Sequence, residues 1–598
     1  MAVANITING RKISTQAGIT ILQAAREAGI DIPTLCDHPA LSPVGACRMC
    51  IVEVTGQRAL QTACTFPVAE GMEIETDSPQ TIKARKLVLD MLFSERNHFC
   101  PYCEMSGNCE LQSLGYRYGV DHWVFSTYTK RFPLDASHKY YLMEHNRCVL
   151  CGRCYRACDE LAANHTLGLR QRGNQSMIHA DANIPRGEST CISCGTCVQV
   201  CPTGALSDKR SAFMGRDNQT QKIKSTCSQC SVGCGMEIVM RGGNILRING
   251  DWDAPVNKGL LCARGRYELL VDVRQRIAEP MIRTAGKLAE ATWQQAIQIL
   301  TEKIGAAGKE GTGLLVSSHV TNEALYLINM LFREKLQVNN ISLLNKAAPE
   351  IPGKRQGSLA EINNSDVIIL IGADPVSDQP VASFIIKHAY DRGARLVVVD
   401  EKENGLSPFA FMNLGYEGID AAADLALRAE QPVVLYGADI PGKAVEAMQK
   451  IDEKAVFIAL EPGVNTSAAA AMKFNSGFNP SSVKCLYVLA GEQDCDSADL
   501  LKDISKDTFL VVQAGYVSPL LDRADLVLPS AIWSERSGSL TNMEGLVQKV
   551  NQAVEPLGEA KADWEALSLL AEKLGNKIDV SQDEISSYIT RLVNERRS

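Results

Sequence analysis

The chain opens on alternating apolar and polar positions, Ala4-Asn5-Ile6-Thr7-Ile8, and resumes after Asn9-Gly10 as Arg11-Lys12-Ile13-Ser14. Alternation on both sides of a two-residue Asn-Gly link predicts a β-hairpin. Thr20 then precedes Ile-Leu-Gln-Ala-Ala-Arg-Glu-Ala, which predicts a short capped helix that stops at Gly29. From about residue 271 the texture changes: continuous apolar runs ending in Gly or Asp alternate with amphipathic helical stretches. These runs cover 313–318, 366–375, 394–401, 432–440, 455–463, 483–492 and 508–515. Strands apolar on both faces and separated by helices predict parallel, doubly wound sheets. A length of 598 residues requires several domains.

The formal net charge is −8, with no basic arm or block, so nucleic acid is not an expected partner. No apolar stretch approaches the roughly 20 residues that span a bilayer. The N-terminus has no h-region or small-residue cleavage site, so a cytoplasmic location is expected. What changes the picture is the presence of 21 cysteines. Cytosolic thiols stay reduced, and thiolates are soft ligands suited to iron–sulfur clusters.

Their spacing sorts them into five groups. The first is Cys36, Cys47, Cys50 and Cys64. Hairpin, helix and cysteine loop together resemble a plant-type [2Fe–2S] ferredoxin, a β-grasp fold; scattered buried free cysteines are the competing reading. The second lies in SERNHFCPYCEMSGNCELQ and comprises His98, Cys100, Cys103 and Cys109. It resembles the His-plus-three-Cys [4Fe–4S] segment of the 75-kDa-type subunit of complex I and of iron-only hydrogenases. Those families space the histidine H-x3-C, and the H-x-C found here is more similar to the diaphorase iron–sulfur subunit of NAD-reducing hydrogenases. His122, His145 or water are the alternative fourth ligands.

The third and fourth groups are CVLCGRCYRAC and CISCGTCVQVCP, each with the C-x2-C-x2-C-x3-C run of bacterial ferredoxins. In such pairs the fourth cysteine serves the other cluster. The expected sets are therefore Cys148, Cys151, Cys154 and Cys201, and Cys191, Cys194, Cys197 and Cys158. Zinc is the competing occupant. The fifth group, Cys227, Cys230, Cys234 and Cys262, resembles the N-terminal cluster domain of molybdopterin oxidoreductases, including its NKGLLCARGR ending. Three small strands are expected around it: MEIVMRG, NILRING and the segment leading to Cys262. Nineteen cysteines and His98 thus supply one [2Fe–2S] and four [4Fe–4S] clusters. Cys485, in an apolar run, is expected to be a core residue, and Cys495 has no assigned role.

The second half resembles the central α/β domains of molybdopterin oxidoreductases, most closely at 524–548, where Glu535, Gly538, Asn542, Glu544 and Gly545 match. The segment that ligates the metal in active relatives corresponds to 338–353, which offers no cysteine or histidine and only Ser342 as an oxygen nucleophile. Arg264 stands where formate dehydrogenases have a lysine. The chain ends about 50 residues after the matching motif, so the family's C-terminal β-barrel is expected to be lacking. No Mo/W-pterin is therefore expected. Without a G-x-G-x-x-G following a strand, or a P-loop, neither flavin nor NAD is expected on this chain.

The fold class implied is multidomain α/β plus α+β. Its parts are a ferredoxin-like domain (1–78), a His/Cys3 segment (79–120), a two-cluster ferredoxin domain (138–212), a small Fe4S4 domain (220–272), a degenerate molybdopterin-fold scaffold (273–575) and a helical tail (576–598). The whole resembles the 75-kDa-type electron-input subunit of complex I and its soluble relatives in NAD(P)-linked hydrogenase, formate dehydrogenase and electron-bifurcating complexes. That resemblance implies a non-catalytic electron-transfer subunit. Its expected partners are a flavin- and NAD(P)-binding subunit, a thioredoxin-like [2Fe–2S] subunit, and hydrogenase or formate dehydrogenase subunits or ferredoxin. A self-sufficient Mo/W oxidoreductase and an iron–sulfur storage or assembly protein are the alternatives.

Overall fold

A computed structural model describes residues 2–96, 98–126, 132–451, 454–474, 477–493, 497–579 and 581–597, in two compact units, Met1–Gln221 and Lys222–Ser598. In the first unit the hairpin forms from Val3–Ile8 and Arg11–Gln16, with Asn9 and Gly10 at φ 51° and 75° as the tight turn requires. These strands join Glu73–Glu75, Ile51–Val54 and Gln61–Thr62 in one five-stranded sheet. The helix Ile21–Glu27 is capped by Thr20, whose Oγ1 accepts from the Gln23 amide at 3.2 Å. Its apolar face packs with Ile6, Ile8 and Val52, and with Cys50 and Cys64, so the first cysteine loop is anchored in the domain core.

Helix Pro79–Glu95, capped by Ser78, leads into the second cysteine group and helix Glu110–Arg117. Leu89, Phe93, Leu111 and Leu114 from these helices share an apolar cluster with Leu35 and Met49 of the first loop, and Cys47, Cys109 and Val149 border it. Three cysteine groups therefore meet one hydrophobic wall. Around the third and fourth groups lie a three-stranded sheet (Leu134–Asp135, Tyr141–Glu144, Leu206–Asp208) and the hairpin Leu167–Arg170/Met177–Ala180.

The second unit begins with a three-stranded sheet of Gln221–Thr226, Gly235–Arg241 and Asn244–Gly250. Two of the three expected strands are there, but the third precedes Cys227 instead of leading to Cys262. Residues 251–262 turn instead, because the Asn257 side chain closes on the Gly235 amide at 2.8 Å and on the Gly235 carbonyl at 3.0 Å.

All seven predicted apolar strands form, divided between two sheets. A five-stranded parallel sheet runs in the order Met412–Leu414, Arg395–Val399, Val367–Ile371, Pro432–Tyr436, Val456–Ala459. A seven-stranded sheet holds Leu526–Pro529, Phe509–Ala514, Cys485–Gly491, Thr312–Val316 and Asn340–Leu343 in parallel, with the hairpin Met281–Thr284/Lys287–Glu290 added at one edge. Ser342 lies inside the edge strand Asn340–Leu343. Cys485 is a buried strand residue, as expected, and Cys495 lies outside the described residues.

The segment expected as a tail contains helix Gln582–Arg597, whose Ile585, Ile589 and Val593 belong to the same core as Leu325, Leu331 and Leu567. Among the described residues no helix is long and apolar enough to cross a membrane.

Candidate metal centres

Cys36, Cys50 and Cys64 are each 1% exposed. The Cys47 amide points at Cys36 Sγ at 3.4 Å. Hydrogen bonding between the Cys36 and Cys47 side chains draws the Cys36 thiol down to about 6 and pushes Cys47 up, and Cys50 and Cys64 make a second such pair. The two pairs also feel one another's charge, Cys36 acting on Cys64 and Cys47 on Cys50. The loop reaches this shape through Gly45 and Arg48, both at positive φ.

A single cavity is lined by His98, Cys100, Cys103 and Cys109, together with Phe93, Arg147, Thr203 and Gly204. His98 Nε2 is buried without a partner, while its ring also hydrogen-bonds the Leu92 main chain. Burial holds this histidine down to about 4, so it is neutral at pH 7. A neutral imidazole fixed by the backbone, with one nitrogen left bare, suits a metal ligand. The alternatives do not share this cavity: His122 is exposed and paired with Asp121, and buried His145 lies elsewhere. A Cβ on Gly204 would stand 2.6 Å from Cys103 Sγ. Gly204→Ala is accordingly expected to empty this centre alone, removing about four iron atoms per chain in an iron assay of the anaerobic protein.

The third and fourth groups are built alike. Leu150 and Ser193 take φ 53° and 56°, Gly152 and Gly195 take 73° and 68°, and short helices Arg153–Arg156 and Thr196–Gln199 follow. A cavity is lined by Cys148, Cys151, Cys154 and Cys201, with Cys201 coming from the other motif. In the companion set, Cys158 titrates against Cys194 and Cys191, and Cys197 against Cys194, Cys191 and Cys158. The structure thus brings the thiols together in the crossed pattern. Burial pushes Cys148 and Cys158 up to about 11, so metal-free thiols there are protonated at neutral pH. Tyr141 stands beside the second set, its hydroxyl 3.4 Å from Cys191 Sγ.

In the second unit, Cys227, Cys230 and Cys234 are buried, and Cys262 acts on Cys227 electrostatically. The motif stretch near residue 540 clamps this loop. Asn542 Nδ2 donates to the Val232 carbonyl at 3.1 Å, Gln548 Nε2 to the Gly233 carbonyl at 2.9 Å, and the Met543 amide to the Ser231 carbonyl at 2.9 Å. Glu535 binds Arg276 through two 2.7 Å bonds, and Glu544 accepts from the Leu359 amide at 2.7 Å. These motif residues hold the scaffold and the cysteine loop. Among the described residues, no three His, Cys, Asp or Glu side chains converge on a single-ion position. The thiols line cavity walls, a disposition suited to a polynuclear group.

Sequence reasoning missed the arginines that lock the first unit. Arg85 is fully buried and donates to the Met49 carbonyl at 3.0 Å and the Ile51 carbonyl at 2.7 Å, either side of Cys50. Arg153 makes two bonds, 2.6 and 2.8 Å, to Glu110 beside Cys109. Arg156 reaches the Cys36 and Ser42 carbonyls. The only available signal was the presence of Arg153 and Arg156 inside a cysteine motif.

The modules match known families in the order in which they fold. Residues 2–79 match a 2Fe-2S iron-sulfur cluster binding domain, and 220–269 the molybdopterin oxidoreductase Fe4S4 domain. Residues 276–436 and 439–573 match molybdopterin oxidoreductase. Residues 85–123 match the NADH-ubiquinone oxidoreductase-G iron-sulfur binding region, and 140–207 the ferredoxin-like domain of NADH-quinone oxidoreductase subunit 3. The chain is similar to the iron–sulfur subunit family of NADH-quinone oxidoreductases and its relatives. It is 29% identical to the mitochondrial NADH-ubiquinone oxidoreductase 78 kDa subunit of Candida albicans, over 99% of this chain and 85% of that protein. It is likewise 29% identical to the corresponding 78 kDa subunit of Neurospora crassa, over 99% and 83%. A chain in the crystal structure of an NAD+-reducing [NiFe]-hydrogenase shares 36% identity over 36% of this chain and 91% of its own length, with a TM-score of 0.34.

Proposed function

We propose that this chain is an electron-transfer subunit holding five iron–sulfur clusters. It would link a flavin- and NAD(P)-binding subunit to a separate catalytic or ferredoxin-reacting subunit. The crossed cavity of Cys148, Cys151, Cys154 and Cys201 carries the reading, because two motifs must interlock to make it. When bound, the clusters would supply one-electron chemistry; the side chains around them hold, insulate and charge-balance them. The proposed ligands are Cys36, Cys47, Cys50 and Cys64 for [2Fe–2S], and His98, Cys100, Cys103 and Cys109 for the first [4Fe–4S]. The two crossed sets and Cys227, Cys230, Cys234 and Cys262 would take the other three.

The second half is proposed to be scaffold, without pterin, flavin or nucleotide. Ligands of open α/β sheets sit beyond the carboxyl ends of the strands, where strand order reverses. Charged side chains of this chain are engaged at both such places, the second of which retains a cavity. Beyond Cys485–Gly491, Glu492 is bonded to Ser228, Trp533 and Arg536. Beside Pro432–Tyr436, the final helix lays Arg596 against Glu350 at 2.9 Å and buried Glu461 at 3.4 Å. The molybdopterin oxidoreductase match favours the second reading, a self-sufficient Mo or W enzyme.

Metal and sulfide analysis of the anaerobically purified complex, with partners identified by mass spectrometry, tests both. About 18 iron atoms per chain, no Mo or W, and a co-purifying flavoprotein are expected. Stoichiometric Mo or W on the isolated chain would overturn the scaffold reading.

A further inference from the structure

Arg156 lies midway between Cys154 and Cys158, which belong to the two crossed sets, and its guanidinium leaves them for a third site. Nη1 donates to the Ser42 carbonyl and Nη2 to the carbonyl of Cys36, while Nε is buried without a partner. The residue is 4% exposed. Neighbouring Arg153 is neutralised by Glu110, and Arg147 by Glu104 at 2.5 Å. Arg156 has no paired carboxylate among the described residues; of the two nearest acids in sequence, Asp159 is bonded to His165 at 2.6 Å and Glu160 to the Ser42 amide at 2.7 Å. Among the described residues the hydrogen bonds of Arg96 likewise go to carbonyls, those of His145 and Ser176, away from the first cysteine loop.

A buried cation bonded to neutral carbonyls still needs negative charge nearby. Thiolate-ligated clusters are anionic, and the sites proposed above would put one behind Cys36 and one behind each of Cys154 and Cys158. Arg156 and Cys36 are 4% and 1% exposed, so the charge acts through a medium of lower dielectric than water.

We propose that Arg156 is the shared counter-charge of the [2Fe–2S] cluster and the ferredoxin-type pair, and that it raises the reduction potential of the [2Fe–2S] cluster. It is a positioning residue: it touches the Cys36 carbonyl and sets the field at the cluster without supplying a ligand. The inference rests on the five-cluster reading.

The test uses the full chain, wild type, Arg156→Lys and Arg156→Met, assayed for iron and then titrated electrochemically under EPR. With about 18 iron atoms retained, Arg156→Met is expected to lower the reduced-to-oxidised ratio of the [2Fe–2S] cluster at fixed potential about tenfold, which is 59 mV for one electron. Arg156→Lys, which keeps the charge, is expected to stay within about threefold of wild type. An unchanged ratio in iron-replete Arg156→Met overturns the proposal, as does a drop in Arg156→Lys as large as that in Arg156→Met. Should Arg156→Met lose the cluster, Arg156→Lys alone decides: a near-wild-type ratio supports the charge, and a tenfold drop overturns it. Wild-type protein with no [2Fe–2S] signal would instead overturn the cluster reading beneath it.

Discussion

Cys201→Ala is expected to empty the site of Cys148, Cys151 and Cys154, in the motif to which Cys201 does not belong. The site of Cys191, Cys194 and Cys197 should keep its cluster, because its proposed fourth thiol is Cys158. The reason is the geometry of the crossed cavity, where Cys201 lies against Cys148, Cys151 and Cys154. Iron should fall by about four atoms per chain, and one [4Fe–4S] signal should vanish from the reduced EPR spectrum. Cys158→Ala should remove the other signal. Loss of the local cluster in each variant, Cys191/Cys194/Cys197 in Cys201→Ala, would reject the crossed assignment and leave two independent motifs.

Arg536→Met should be the most destabilising single change in the second unit. Arg536 is 1% exposed, contacts Glu492 at 3.0 Å and Asp563 at 3.7 Å, and donates to the His319 carbonyl. Asp563 also accepts from Ser530 and Gln513, and Glu492 from Trp533 and Ser228, so neither carboxylate can swing out to water. Removing the cation between two buried acids is expected to cost about 3–5 kcal/mol in the unfolding free energy of this unit, read by urea titration. The pH dependence has a definite sign. Burial already raises Asp563 above the usual carboxylate range, and its charged form costs stability as pH rises past the unfolded value. Without Arg536 that cost grows, so the deficit should be largest at neutral and alkaline pH. It should shrink as pH falls and the acids take up protons. A deficit independent of pH would point to lost packing instead of lost charge.

The grouping of the thiols and the first hairpin were legible in the sequence because both are written in local spacing. Four thiols within eleven residues, twice, or an Asn-Gly between alternating runs, carry their meaning in spacing alone. The same holds for the strands: seven continuous apolar runs became seven buried strands, since burial on both faces leaves no other pattern. Division into two sheets was not legible, because each run fits either sheet and only side-chain packing decides. The strand expected before Cys262 failed where the turn chemistry of Asn257 outweighed a weak apolar pattern. Arg85, Glu492 and Arg536 could not be found from sequence, since most of their partners stand tens to hundreds of residues away and many are main-chain atoms. The tail helix reads as polar, and only the structure shows that Ile585, Ile589 and Val593 seat it in the core.

The crossing of the two ferredoxin-type motifs also has a consequence during synthesis. Cys148, Cys151 and Cys154 leave the ribosome first, yet their fourth partner is the last of the eight cysteines to emerge. At ordinary elongation rates they wait about 2–10 s as bare thiols. The set begun first is completed last, after Cys197 has already closed the other. With the crossed ligation proposed above, iron delivery to the earlier motif would follow translation of the later one, and the waiting thiols would be open to oxidation during that interval.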